Sequence, residues 1–385
     1  MQAGAATGLR PIFIGSEIYR GSSYGKAHPL RVPRVSTVID LCRTMGWFGA
    51  NQYRTSPRAK PAALALWHDA DYVSALLQAE QLAREGLPLP EHFGRQYGLG
   101  TASNPAFGEM FRRPATGAGG VMLAAELLRG GGVAHVPGGG THHGLRGRAN
   151  GFCYLNDVVL GMMVWRAAGL RRIAYVDIDA HHSDGVESAF AGDADTLLIS
   201  VHEDRRWPFT GAVTDDGGGN TFNFPVPAGF NDSEMRAVLE GLILPRVQAF
   251  RPDAVILQCG ADALLEDPLS RLGLSNNAHR AVAVALRPLS PRFLLLGGGG
   301  YNPWSVGRLW SALWADLSGY PVPDVLPDAA QAVLRGLSWG GGGRPAPEAH
   351  MFTTLADPPR EGPVRDDVSA ALDQLSRRPP PTPAQ

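Results

Sequence analysis

Charge and cysteine are both scarce in this chain, and each scarcity removes a class of function. Only 18% of the 385 residues are charged and the formal net charge is −1. The broad positive field that captures nucleic acid is therefore missing, and no direct DNA or RNA partner is expected. The three cysteines, Cys42, Cys153 and Cys259, are odd in number and widely spaced. They form neither a CxxC pair nor a disulfide framework, which fits a reducing compartment. Long apolar runs are lacking too: no stretch reaches roughly 18 apolar residues, and the opening MQAGAATGLRPIFIGSE has no charged segment followed by an apolar one. No membrane span or signal peptide is read, and the cytoplasm is the expected compartment. Glycine is plentiful, but no G-x-x-x-x-G-K-[ST] accompanies GGGTHHG, and the GGGG before Tyr301 is not G-x-G-x-x-G. A P-loop and a dinucleotide site are set aside on that ground.

What is present reads as an α/β protein. Hydrophobic residues make up 44% of the chain, and a chain of this length buries roughly three quarters of its unfolded surface, so a large core needs no staples. Short runs rich in Val, Ile and Leu occur at IAYVDID (173–179), TLLISVH (196–202), AVILQCG (254–260) and RFLLLGG (292–298). None alternates cleanly between apolar and polar, so they are predicted to be strands buried on both faces of a mostly parallel sheet. Helical segments fall between them, at 156–169 and at 232–250, the second with Asp232 or Ser233 as the expected cap. The pattern predicts one domain over 1–335 with helices flanking the sheet. From 336 to 385 the Gly- and Pro-rich composition predicts a loose, partly disordered extension.

The polar clusters follow the ends of the apolar runs: Asp177 and Asp179 after IAYV, His202 after LLISV, Asp262 after VILQCG, Tyr301 after FLLLGGGG. Ligands of open α/β sheets sit outside the carboxyl ends of the strands, so one shared site is expected there. Within Asp177-Ile178-Asp179-Ala180-His181-His182-Ser183-Asp184 a D-x-H unit can place two side chains around one ion. An isolated DxD or HH is more often a helix cap and surface histidines. Five ionisable groups packed together after a buried strand are costly without a cation. The adjacent His142 and His143 in their glycine-rich loop read equally as a solvated turn or as a base and its partner. Asp262 can complete a set of two carboxylates and one histidine, which leaves a coordination position open. Tyr301 alone reads as a packed aromatic, and beside a metal as an oxyanion donor.

Taken together, HHGLRGRANGFCYLND, VDIDAHHSDGVESAF, QCGADALLEDPLSRLGLS and LLLGGGGYN, in this order, resemble the histone deacetylase family and its bacterial acetoin-utilisation and acetylpolyamine-hydrolase relatives. The match runs from Tyr24 and HPLRVPR (28–34) to GGGGY (297–301), most of the chain. The resemblance implies the arginase-deacetylase fold, with the active site at the C-terminal strand ends. It implies a hydrolase that removes acetyl or related acyl groups from acyl-lysine or a small acylated amine by attack of metal-activated water. Asp179, His181 and Asp262 are similar to the ligands of one Zn2+ per chain, a set that Fe2+ also accepts. His142 and His143 resemble the tandem histidines, backed by Asp177 and Asp184. Tyr301 resembles the oxyanion donor, Gly151, Phe152 and Trp207 the substrate tunnel, and Arg34 the residue that helps acetate leave. Asp177 and Ser200, with backbone carbonyls of Asp179, His181 and Val201, resemble a structural K+ site.

Two departures bear on the substrate. Ser103, in Ser-Asn-Pro-Ala-Phe, stands where relatives that act on protein tails often carry an aspartate, so a carboxylate able to clamp a peptide backbone is missing. The mouth loop reads Glu203-Asp204-Arg205-Arg206-Trp207-Pro208-Phe209-Thr210, which places Phe209 in a turn that is usually Pro-Gly-Thr-Gly. Its two arginines disfavour cationic polyamines unless Glu203 and Asp204 offset them. The rival readings are an acetylpolyamine amidohydrolase and a catalytically silent acyl-binding metal module; a two-manganese arginase-like site is disfavoured because the additional carboxylates are not evident. Acyl length, the physiological amine and the oligomeric state have no signature in the sequence.

Overall fold

The computed structural model describes residues 10–25, 27–339, 344, 346–379 and 381. Eight strands form one sheet: β1 (Ile12–Gly15), β2 (Tyr53–Thr55), β3 (Gly132–Val136), β4 (Ile173–Asp177), β5 (Thr196–Glu203), β6 (Thr221–Val226), β7 (Ala254–Gln258) and β8 (Arg292–Leu296). Their order is β2-β1-β3-β8-β7-β4-β5-β6, and every adjacent pair is parallel. The four apolar runs singled out in the sequence are β4, β5, β7 and β8, and all residues of β4, β5 and β7 are buried. Side chains alternate between two cores. Ala174, Val176, Leu197, Ile199, Val255 and Leu257 face one core, while Ile173, Tyr175, Leu198, Ala254 and Ile256 face the other. A strand covered on both faces has no polar face to show, which is why these runs lack a period of two.

Helices Arg112–Leu127 and Asp157–Ala167 cover one face. Helices Asp232–Val238, Asn276–Leu286 and Pro303–Ser318 cover the other. The predicted helix over 156–169 is seen at Asp157–Ala167, with Asn156 as its cap accepting from Val159 N at 3.1 Å. The segment 232–250 is not one uniform helix. It opens with Asn231 and Glu234 in a reciprocal capping box, not with Asp232 or Ser233, and carries a π turn at Leu239–Ile243 before the turn holding Pro245. Asp232 instead accepts from Ser275 N (2.8 Å), Ser275 Oγ (2.6 Å) and Arg360 N (2.9 Å).

The expectation of a loose chain after 336 does not hold for the described residues 346–379. Met351, Leu355, Val368 and Leu375 are buried in the main core. Buried Arg308 pairs with buried Asp357 at 2.5 Å, and Arg365 pairs with buried Glu234 at 2.6 Å. Composition misleads here because the carboxylates of Asp232 and Glu234, far away in sequence, take up backbone N–H groups of the segment. Residues 340–343, 345, 380 and 382–385 lie outside the described residues.

Candidate metal centre and active site

Five neighbouring strands, β3, β8, β7, β4 and β5, deliver the polar groups to one edge of the sheet. The chain leaves β4 at Asp177, whose Oδ1 accepts the N–H of Asp179 at 2.9 Å and so fixes the turn that follows. Asp179 and His181 then meet Asp262, which arrives four residues after β7, and one donor atom from each lies within 4.8 Å of the others. His181 Nδ1 is 3.3 Å from Asp179 Oδ1 and 3.0 Å from Asp262 Oδ2. Gly299 N donates to Asp179 Oδ2 at 2.6 Å and Ala180 N to Asp262 Oδ1 at 3.2 Å. Gly260 and Gly299 allow this convergence, because a Cβ on either would run into these carboxylates. Burial and the neighbouring Asp179 push the Asp262 pKa up. Two buried carboxylates and an imidazole nitrogen converging in this way fit a divalent cation, with a position left open for substrate.

Beside this triad stand two histidine–carboxylate pairs. His142 Nδ1 lies 2.7 Å from Asp177 Oδ2, and His143 Nδ1 lies 2.6 Å from Asp184 Oδ1. Each carboxylate is itself held, Asp177 by the Tyr175 hydroxyl (2.6 Å) and Asp184 by Asn150 Nδ2 (3.0 Å). The two Nε2 atoms are 2.9 Å apart, so one donates to the other. Burial opposes charge on His142, but Asp177 and Asp179 outweigh it and raise its pKa to about 9. Burial and the charge on His142 lower His143 to about 4. The carboxylates around His142 and the burial of His143 thus set the two imidazoles apart, His142 the more basic of the pair. The tandem loop is anchored from behind, where Asp157 Oδ1 accepts from Gly140 N and Thr141 N, each at 2.9 Å.

A cavity of about 670 Å³ opens above the triad, with His143, His181 and Tyr301 among its lining residues. Phe152 and Trp207 both line it. The Trp207 ring centre is 4.6 Å from that of His143, and Phe152 is 5.9 Å from Tyr301. Gly151, at φ +51°, has no room for a side chain because the Trp207 ring occupies the space. Phe152 follows at φ 69°, a left-handed conformation that few non-glycine residues adopt.

Residues 28–317 match the histone deacetylase domain. The chain belongs to the histone deacetylase family. It is 34% identical over 322 residues to the acetoin utilization protein AcuC of Bacillus subtilis (strain 168), covering 80% of this chain and 82% of that one. Two crystal structures of an HDAC homologue, one from Aquifex aeolicus and one complexed with SAHA, superpose with a TM-score of 0.89 at 34% identity, covering 96% of this chain and 100% of theirs. The single eight-stranded parallel sheet is that of the arginase-deacetylase fold.

In this family member the sequence-derived candidates fall into three places. His143, Gly151, Phe152, His181, Trp207 and Tyr301 line the large cavity, and Asp179, Asp262, His142, Asp177 and Asp184 stand behind them. Arg34 lies behind it, part-buried, with Nη1 donating to Gly298 O (2.9 Å) and Gly300 O (3.2 Å). It lines an inner cavity of about 60 Å³ with Arg113 and Asp157. Ser200 sits opposite Asp177 in the β4–β5 register, its hydroxyl 2.9 Å from His202 Nδ1, and Val201 follows it on β5. Ser103 lines the mouth, and its carbonyl oxygen is 3.3 Å from His28 Nε2.

Several positioning groups escape a sequence reading. Asp267 is buried and accepts from Tyr301 N at 2.6 Å and from Leu269 N at 2.9 Å, which ties the tyrosine to the loop after Asp262. Asn150 and Tyr175 hold the carboxylates of the histidine pairs. Arg271 reaches the mouth from the same loop as Asp267. The DPLSR stretch gives no signal of these roles, which arise only when the loop folds back. Among the described residues no helix is long and apolar enough to cross a membrane.

Proposed function

We propose that this histone deacetylase-family hydrolase is a zinc-dependent deacylase that removes acetyl or a related acyl group from acyl-lysine or a small acylated amine. The observation that carries the reading is that the Asp179–His181–Asp262 triad meets one aromatic-walled cavity through His181, beside His143 and the Tyr301 phenol. A solved relative complexed with SAHA and the likeness to an acetoin utilization protein support it.

Asp179, His181 and Asp262 would hold a divalent ion, which would supply Lewis acidity toward a carbonyl oxygen and a water. The remaining work falls to the chain's own groups. His143 lines the substrate cavity and His142 does not, so His143 is the point of proton exchange. It takes the proton of the attacking water and delivers it to the leaving amine, while Asp184 fixes its ring. His142, held by Asp177, sets the affinity of His143 for that proton. The Tyr301 hydroxyl donates to the carbonyl oxygen as negative charge grows there, and its burial keeps water from competing. Phe152, Trp207 and Gly151 enclose the methylene stem of the amine. Arg34 assists the departing carboxylate in the inner cavity. Asp177 and Ser200, with carbonyls of Asp179, His181 and Val201, form a K+ site that braces the ends of β4 and β5.

The test is hydrolysis of acetyl-lysine peptides, free acetyl-lysine and acetylated polyamines by zinc-loaded protein, with His143→Ala beside wild type. Turnover is expected on at least one amine, with a loss of about 10²-fold or more in the variant. Equal rates in the two proteins would overturn the reading.

A further inference from the structure

The charged residues at the cavity mouth do not contribute equally. Arg206 is committed inward: its Nε lies 2.5 Å from Glu203 Oε2 and its Nη1 donates to Leu269 O at 2.7 Å. Glu203 is buried and also accepts Arg271 N at 2.9 Å, so its charge is spent on Arg206 and on the backbone of the 269–271 turn. Asp204 and Arg205 are exposed neighbours 3.4 Å apart and offset each other. The Arg205–Arg206 pair that the sequence brings to notice therefore adds little net charge to the entrance.

Arg271 is different. It lines the same cavity as His143, His181 and Tyr301, its side chain is exposed, and no carboxylate among the described residues lies within ion-pair distance of its guanidinium. Its neighbours in the lining, Leu269, Pro227, Ala228 and Phe209, carry no charge, and Ser103 supplies none. The entrance thus carries two internally paired charge couples, Arg206 with Glu203 and Arg205 with Asp204, apolar residues between them, and one uncompensated guanidinium, that of Arg271. Such a group repels a second ammonium and offers a forked pair of donors to a carboxylate.

We propose that the mouth selects acylated amines that also bear a carboxylate, free Nε-acyl-amino acids above acylated polyamines, and that Arg271 is the specificity-determining residue that binds that carboxylate. This rests on the deacylase reading and narrows its substrate. A guanidinium–carboxylate pair at a half-enclosed site discriminates about tenfold against a neutral isostere.

The experiment compares kcat/KM for Nε-acetyl-lysine with that for its α-carboxamide, and for monoacetylated 1,5-diaminopentane, in zinc-loaded wild type, Arg271→Ala, Arg271→Lys and Arg271→Glu. Wild type should favour the carboxylate over the carboxamide by about tenfold, with the ratio shrinking as salt is raised. Arg271→Ala should bring the ratio towards one, Arg271→Lys should keep part of it, and Arg271→Glu should turn the preference to the diamine. A wild-type ratio near one, or a ratio that survives Arg271→Ala, overturns the proposal while leaving deacylation intact. No turnover of any of the three compounds while an acetyl-lysine peptide is hydrolysed would also overturn the proposal and leave the deacylase reading standing, whereas no turnover of the peptide either, with zinc bound, would remove both.

Discussion

A phenol hydroxyl stabilises an oxyanion only where its backbone holds it. Tyr301 follows a run of four glycines, and its placement comes from Asp267, whose Oδ2 takes Tyr301 N at 2.6 Å and Asn302 N at 3.2 Å. Tyr301→Phe is expected to lower kcat by about 10²-fold while metal content, measured by metal analysis, stays equal to that of wild type. Asp267→Asn keeps the volume and loses one acceptor. It should lower kcat with little change in KM, and in a Tyr301→Phe background it should cost almost nothing further. Additive losses in that double-mutant cycle would mean that Asp267 acts on the fold and not through the tyrosine. At this scale the sequence is legible where a polar residue follows within a few positions of an apolar run, as Asp179, Asp262 and Tyr301 do. It is silent for Asp267 and Arg271, because their roles depend on how the loop after Asp262 folds back onto the site.

Between residue and molecule stand the elements, and the C-terminal segment is the one composition misjudges. Four of the eight strands, β4, β5, β7 and β8, were readable because a parallel sheet demands continuous apolar runs, whereas β1, β2, β3 and β6 were not singled out. The segment 346–379 has no such period, and its attachment relies on single pairs reaching across the chain. Arg308, fully buried in helix Pro303–Ser318, donates to Asp357 Oδ1 (2.5 Å), Thr354 O (2.7 Å) and Ala356 O (2.9 Å). Asp357 also accepts Asn276 N at 2.9 Å, at the start of helix Asn276–Leu286. Asp357→Ala leaves a buried guanidinium without its counter-charge and is expected to cost about 3 kcal/mol in urea unfolding. Arg236→Ala removes an exposed pair with Glu361 and is expected to cost under about 1 kcal/mol. Similar losses for the two would show that the segment is not anchored through Arg308.

On the scale of the whole molecule, stability depends on keeping several histidines neutral. Burial lowers the pKa of His68 to about 4, of His135 to about 3 and of His279 to about 4, from 6.5. They lie on different elements: His135 on β3 against Phe13, His279 in helix Asn276–Leu286 bonded to Gly260 O at 3.0 Å, and His68 accepting Asn156 N at 3.0 Å. Below pH 6.5 the unfolded chain takes up protons at these sites and the folded chain does not, so stability falls as pH falls. The contribution is intact above pH 6.5 and is lost progressively down to pH 4 to 3. Each site accounts for on the order of 3 kcal/mol by the end of that window, so the three together rival the whole stability of an ordinary domain. Urea midpoints should drop steeply between pH 7 and pH 4.5, with a chelator present at every pH so that acid release of a metal adds nothing. His135→Leu removes one of these proton uptakes, and its midpoint should change less over that range than that of wild type. A slope equal to that of wild type would place the acid sensitivity elsewhere, in the carboxylate pairs that tie the C-terminal segment to the sheet.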